Sequence, residues 1–262
     1  MWKALAKSVQ GSGHKRLGTA CQDACLTNLC EVGLDSAGAA QSVLVLAVAD
    51  GAGSADHSDV GAQTACRVIH EVIAEHLLRP DWAPVSRELA IAWYERVRLE
   101  LEREAESLAV PSRQLACTLL VAMIAENAAA FCQIGDGAHV IRDREELRPV
   151  FWPQSGEYAN TTNFVTSPRI ERDLMFEWRE GRIDDVALFT DGLQSLALNY
   201  GTKQAHQPFF TPLLEALRNH PNPMELAGPM QAFLESKNLS DRTDDDLTLI
   251  LATRIHPHEP TV

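Results

Sequence analysis

Three apolar stretches in this chain are each bounded by acidic residues, and that pattern constrains the fold more than any other feature. Ser42 to Ala49 runs into Asp50-Gly51, Val186 to Thr190 runs into Asp191-Gly192, and Leu247 to Thr253 follows Asp244-Asp245-Asp246. Short runs rich in Val and Leu beside glycine or turn residues read as buried strands. The acids therefore sit at strand ends, on the rim of a sheet, where side chains far apart in sequence can converge.

The intervening segments predict the other layers. Ala65, Val68, Ile69, Val72, Ile73 and Leu77 recur at three- and four-residue steps, an amphipathic helix with Ser58 or Asp59 as its cap and its end near Pro80. A second helix is predicted from Ser86 to Leu108, with Leu89, Trp93, Val97, Leu101 and Ala105 on one stripe. Leu115 to Ile124 and Ala128 to Ile134, joined at Glu126-Asn127, read as a hairpin; Gly135-Asp136-Gly137 turns into a strand over Ala138 to Ile141. Trp152 to Pro168 lacks periodicity and reads as a long loop, and helical patterns follow over Leu193 to Leu198, Phe210 to Asn219 and Met224 to Lys237. Hairpins grouped with helix pairs indicate an α+β layered chain, and we expect one domain over residues 1–262.

Composition removes several functional classes. A net charge of −13 repels a phosphate backbone and argues against nucleic-acid or anionic-membrane binding. The longest apolar run, Val43 to Ala49, falls far short of the roughly 20 residues that span a bilayer, and the first residues lack an export signal. A cytoplasmic location is expected, so the 6 cysteines read as reduced thiols, with Cys66, Cys117 and Cys132 in buried patterns. Phosphate-binding glycine loops, zinc-peptidase motifs and serine-hydrolase elbows are all missing.

Singly, each Asp-Gly pair is most simply a turn and the acidic triplet a solvated cap. Together with Asp23 and Asp136, however, the set places carboxylates where they would repel one another unless protonated or bound to cations. All-oxygen ligands select hard ions such as Mg²⁺, Mn²⁺ or Ca²⁺. Two such ions about 3.5–4 Å apart clamp a phosphoryl group and activate water.

The ordered set Gln22-Asp23-Ala24, Val48 to Ser54, Cys117-Thr118-Leu119-Leu120, Ile134 to Gly137, Phe189 to Leu193 and Asp245 to Thr248 resembles the protein phosphatase 2C family. Gly11 to His14, Gly156 to Asn160 and Arg242 to Asp246 match its compact bacterial branch. The resemblance implies a four-layer α/β/β/α sandwich of two antiparallel sheets flanked by helices, and hydrolysis of phosphoserine and phosphothreonine in proteins. It also implies two Mn²⁺ or Mg²⁺ ions, a third weaker one, and a partner serine/threonine kinase.

By position, the resemblance implies that Asp50 bridges two metals, that the Gly51 carbonyl binds one, and that Asp191 and Asp245 bind the other. Asp23 would hold a metal-bound water and accept its proton, Asp136 with Asp191 would hold the third metal, and Thr118 would support the cleft. This chain departs from the pattern at three places. Gln22 replaces a common Glu ligand, Ala52 replaces a proton-donating His, and Gly18 stands where many members carry a phosphate-binding Arg. His14 is the expected replacement for the proton donor, with Lys15, Arg16 and His57 as other cationic candidates and Glu157, Tyr158 and Asn160 as groove residues. Those departures leave a second reading open, a pseudophosphatase that binds metal and regulates a kinase or phosphoprotein. A phosphatase of small metabolites is a third.

Overall fold

A computed structural model describes residues 1–34, 40–79, 81–153 and 162–255. In chain order the strands are β1 (Trp2–Val9), β2 (Ala24–Leu34), β3 (Ala40–Ala49), β4 (Leu119–Ile124), β5 (Ala128–Ile134), β6 (Ala138–Asp143), β7 (Glu146–Pro149), β8 (Met175–Glu180), β9 (Asp185–Phe189), β10 (Leu198–Asn199), β11 (Gln204–Ala205) and β12 (Leu247–Arg254). The helices are α1 (Ser12–Leu17), α2 (Ser58–Leu77), α3 (Arg87–Ser107), α4 (Ile170–Asp173), α5 (Gln194–Ala197), α6 (Gln207–Asn219), α7 (Ala227–Leu234) and α8 (Lys237–Ser240). Two antiparallel sheets carry the architecture, in the orders β1-β12-β9-β6-β7 and β2-β3-β4-β5-β8.

Alternation along each strand divides the core into three apolar interlayers. On β3, Val43, Val45, Ala47 and Ala49 pack with the residues of α2 and α3, whereas Leu44, Leu46 and Val48 face the opposite sheet. On β12, Leu247, Leu249 and Leu251 pack with α6 and α7, while Ile250 and Ala252 join the layer between the sheets. Successive side chains of a strand point to opposite faces, so covering both faces requires apolar residues at every position. That is the four-layer α/β/β/α arrangement expected from the sequence.

Ser86 starts α3 as expected, its hydroxyl accepting the Leu89 N–H at 3.2 Å. The cap of α2 differs: the helix already includes Ser58, and His57 precedes it without a side-chain cap bond. The predicted helix over Met224 to Lys237 is broken into a short turn at Pro223–Leu226, α7 and α8. Pro229 accounts for the first break, because a residue without an N–H is favoured in the first turn of a helix, where α7 places it. All six cysteines are free, and Cys66, Cys117 and Cys132 are buried. Among the described residues no helix is long and apolar enough to cross a membrane.

Candidate metal centre

Antiparallel pairing gathers the acids at one end of the sandwich. The end of β3, which leads into Asp50, lies beside the start of β2, next to Asp23, and the start of β4. In the other sheet the end of β9, leading into Asp191, adjoins the start of β12, next to Asp245. The turn between β5 and β6 supplies Asp136. Carboxylate oxygens of Asp50, Asp136 and Asp191 lie within 4.8 Å of one another.

Each acid is held by its neighbours. The Asp50 N–H donates to Thr118 Oγ1 at 2.9 Å, and the Thr118 N–H returns a bond to the Asp50 carbonyl at 2.8 Å, so Thr118 clamps the backbone as expected. Thr162 Oγ1 donates to Asp136 Oδ2 at 2.7 Å, and Thr190 Oγ1 donates to Asp23 Oδ2 at 2.8 Å. Behind Asp136, the fully buried Gln133 amide donates to the carbonyls of Gly135 and Gly137 at 3.0 and 2.8 Å, closing the turn that carries the acid. Gly51 N–H donates to the Gln22 carbonyl at 3.1 Å, which joins the two backbone segments next to Asp50 and Asp23.

The electrostatics of this cluster favour a cation. Burial, reinforced by Asp23, Asp191, Asp245 and Asp136, holds the Asp50 carboxyl well above the usual range. Burial raises Asp23 to about 8 against hydrogen bonds from Thr248 and Thr190 that favour the anion. Burial, with the charges of Asp136 and Asp245, raises Asp191 to about 7. Burial also raises Asp136 and Asp245. Three further oxygens, Gln22 Oε1, Asp136 Oδ1 and Asp191 Oδ1, are buried without any hydrogen-bond donor. Acceptor oxygens that lack donors, on acids that resist ionisation together, are what a hard divalent cation satisfies. The residues present fit such an ion.

The sign of the pH dependence follows. These acids bind protons more tightly in the folded than in the unfolded chain, so the metal-free protein is stabilised at low pH and loses that stability as pH rises from about 4 to about 8. The expected result is a Tm in EDTA that falls between roughly pH 5 and 8, each kcal/mol lost lowering it by about 2–4 °C. Saturating Mn²⁺ should flatten the slope, because cations then take the place of protons. Differential scanning fluorimetry checks this, and a flat or rising Tm in EDTA contradicts the arrangement.

Asp246 turns out to organise the N-terminal segment rather than to cap a strand in solvent. Its buried carboxylate accepts the Gly11 N–H at 2.7 Å and the Gln22 N–H at 2.6 Å, and its Oδ1 lies 2.9 Å from His14 Nδ1. The Nδ1 contact is close but not aligned as a hydrogen bond, and the ring is about four-fifths buried at the edge of the site. The sequence explains why Gly11 opens this segment: a Cβ there would meet the Asp245 carbonyl carbon and oxygen at 2.2 Å. Only glycine lets α1 lie against the strand that carries the acids.

The structure does not bring every candidate to the centre. Lys15 pairs with Glu235 at 3.7 Å and Arg16 with Asp244 at 3.1 Å, and neither pairs with Asp50, Asp136 or Asp191. His57 serves at the start of α2, where its N–H donates to the Gln114 carbonyl. Glu157, Tyr158 and Asn160 lie outside the described residues. Thr190, Thr248, Gln133 and Asp246 were not legible as site residues. The only sequence signal for the threonines and Gln133 is a polar residue inside an otherwise apolar strand, which ordinary hydrogen bonding explains as well.

A carboxylate cage for hard cations at one end of an α/β/β/α sandwich is suited to metal-assisted phosphoester hydrolysis. The sequence model of the family described as protein phosphatase 2C matches residues 10–235, and the chain belongs to that family. It is a metal-dependent protein phosphatase. A curated relative, serine/threonine-protein phosphatase 3 of Escherichia coli (strain K12), is 35% identical over 258 residues, covering 96% of this chain and 98% of the relative. The fold is also that of the Mycobacterium tuberculosis serine/threonine phosphatase PstP/Ppp, at a TM-score of 0.60 and 16% identity over 97% of this chain and 99% of the other. The catalytic domain of serine threonine protein phosphatase PstP in complex with 2 manganese ions gives a TM-score of 0.57 at 16% identity, with the same coverage of 97% and 99%.

Proposed function

We propose that this protein dephosphorylates phosphoserine and phosphothreonine on cytoplasmic phosphoproteins, using two Mn²⁺ or Mg²⁺ ions with a third, weaker ion near Asp136 and Asp191. The observation that carries this reading is the Asp50, Asp136 and Asp191 cluster, whose oxygens lie within 4.8 Å of one another and include two without donors. Asp50, Asp191 and Asp245 hold the ions, with the Gly51 carbonyl and Gln22 Oε1 as neutral ligands. When bound, the ions neutralise phosphoryl charge and lower the pKa of water.

The chain's own groups handle the protons. Asp23, whose Oδ2 accepts the Thr190 hydroxyl at 2.8 Å, takes a proton from the attacking water. As the new P–O bond forms, the bond from phosphorus to the serine oxygen breaks, and His14 protonates the departing alkoxide. A serine/threonine kinase supplies the phosphoprotein, since serine phosphoesters arise by phosphoryl transfer to a hydroxyl. The pseudophosphatase reading gains nothing from the site, where Asp50, Asp136 and Asp191 are gathered.

The test measures hydrolysis of p-nitrophenyl phosphate and of a phosphoserine peptide with Mn²⁺, with Mg²⁺ and in EDTA. Turnover of both esters with metal and none in chelator is expected. Full activity in EDTA overturns the metal mechanism, and no turnover of either ester with any metal favours the pseudophosphatase.

A further inference from the structure

The carboxylate cluster opens on a cavity of about 290 Å³ whose lining includes Asp191, Asp245, Gln194, Tyr200 and Arg242. Its wall is tied to the metal centre: Tyr200 Oη donates to Gln194 Oε1, and Gln194 Nε2 donates to the Asp136 carbonyl. Arg242 is the cation in this lining. Its backbone is fixed by an N–H bond to the Leu239 carbonyl at 2.9 Å, yet among the described residues its guanidinium makes no ion pair and no hydrogen bond.

That isolation is informative because acids are close at hand. Asp191 is turned toward Asp50 and Asp136, and Asp245 Oδ1 accepts the N–H of Asp246 at 2.9 Å. Arg242 thus lines the cavity as an exposed residue with its guanidinium donors uncommitted among the described residues. Nearby, Lys15 pairs with Glu235 and Arg16 with Asp244, and His14 lies against Asp246. Gly18, where many family members carry arginine, closes α1 with φ at 70°, a left-handed conformation that glycine adopts without cost.

A phosphate monoester brings up to two negative charges into a site lined by acids. Cations cover some of its oxygens, and the rest require donors. A guanidinium offers a planar fork of N–H groups that matches two phosphate oxygens at once. We infer that Arg242 grips the phosphate of the substrate from this cavity, supplying the guanidinium that Gly18 does not. The inference rests on the phosphatase reading.

The experiment compares the full-length Mn²⁺-loaded protein with R242A and R242K. It measures kcat and KM on p-nitrophenyl phosphate and a phosphoserine peptide, inorganic phosphate binding by calorimetry, and Mn²⁺ affinity. R242A is expected to raise KM on both esters by about 10- to 100-fold, the range for losing a charge-assisted hydrogen bond. Phosphate binding should weaken by a similar factor, Mn²⁺ affinity should hold, and R242K should recover part of the loss. Unchanged KM and phosphate binding overturn the inference. So does a loss confined to the peptide, which would make Arg242 a contact to the polypeptide, or a weakened Mn²⁺ affinity, which would place its effect on the metals. A wild-type protein that hydrolyses neither ester sinks the phosphatase reading instead, and phosphate calorimetry still decides the role of Arg242.

Discussion

Asp50→Asn and Asp191→Asn are each expected to lower kcat/KM by about a thousand-fold or more, since a bound cation supplies several kcal/mol of transition-state stabilisation. The substitution keeps the shape of the side chain and removes the charge that a hard cation requires. The fold should survive, and the metal-free variants should be at least as stable as the metal-free wild type. Burial and mutual repulsion hold both carboxyls above their ordinary range, so the neutral amide relieves a cost that the acid bears. Calorimetric Mn²⁺ titration should show weakened binding alongside the lost turnover. Asp59→Asn, in the first turn of α2 and outside the cluster, is the control. Near wild-type rates in either variant would remove that residue from the ligand set.

The second large effect is expected from His14→Ala, a loss of roughly ten- to a thousand-fold in kcat/KM on a phosphoserine peptide, at and below the usual contribution of a general acid of about 10²–10⁴. Asp246 Oδ1 lies 2.9 Å from Nδ1, and its own position is fixed by the Gly11 and Gln22 N–H groups. With Nδ1 turned to that acid, Nε2 is the atom available to the leaving group. The loss should be smaller on p-nitrophenyl phosphate, whose leaving group departs without a proton. Equal losses on both substrates would assign His14 to phosphate binding or to the seating of α1 on Asp246. No loss on either would exclude it from the reaction.

What could be read beforehand divides along a structural line. The strands β3, β4, β5, β6, β9 and β12 were legible as apolar runs, and all of them are interior to their sheets. Of the strands that left no readable pattern, β1, β2, β7 and β8 are the edges of the two large sheets, and β10 and β11 form a two-residue pair of their own. β8, Met175–Glu180, has no buried position along its length, and β1 has only Leu5 and Val9 buried. An interior strand in a four-layer sandwich is covered on both faces and flanked on both sides, so burial writes an apolar residue at every position. An edge strand keeps polar residues because one side stays in water, and its sequence resembles a loop.

The candidate centre divides in a similar way. Asp50, Asp136 and Asp191 were legible because each follows an apolar run and sits beside glycine, a local signature that survives in one dimension. Their identity as a cluster depended on register: only the pairing of β3 with β2 and β4, and of β9 with β12, sets these ends at one rim of the sandwich. Residue types and spacing thus determined the layered α+β fold, the buried thiols and the choice of a hard cation, since those follow from burial and donor chemistry acting locally. The buried role of Asp246, the diversion of Lys15 and Arg16 to Glu235 and Asp244, and the exposure of an uncommitted Arg242 to the cavity were decided by tertiary structure alone. Side-chain partnerships between residues more than two hundred positions apart, such as Gly11 with Asp246, leave no periodic trace in the sequence and come into being only when the last strand closes against the first.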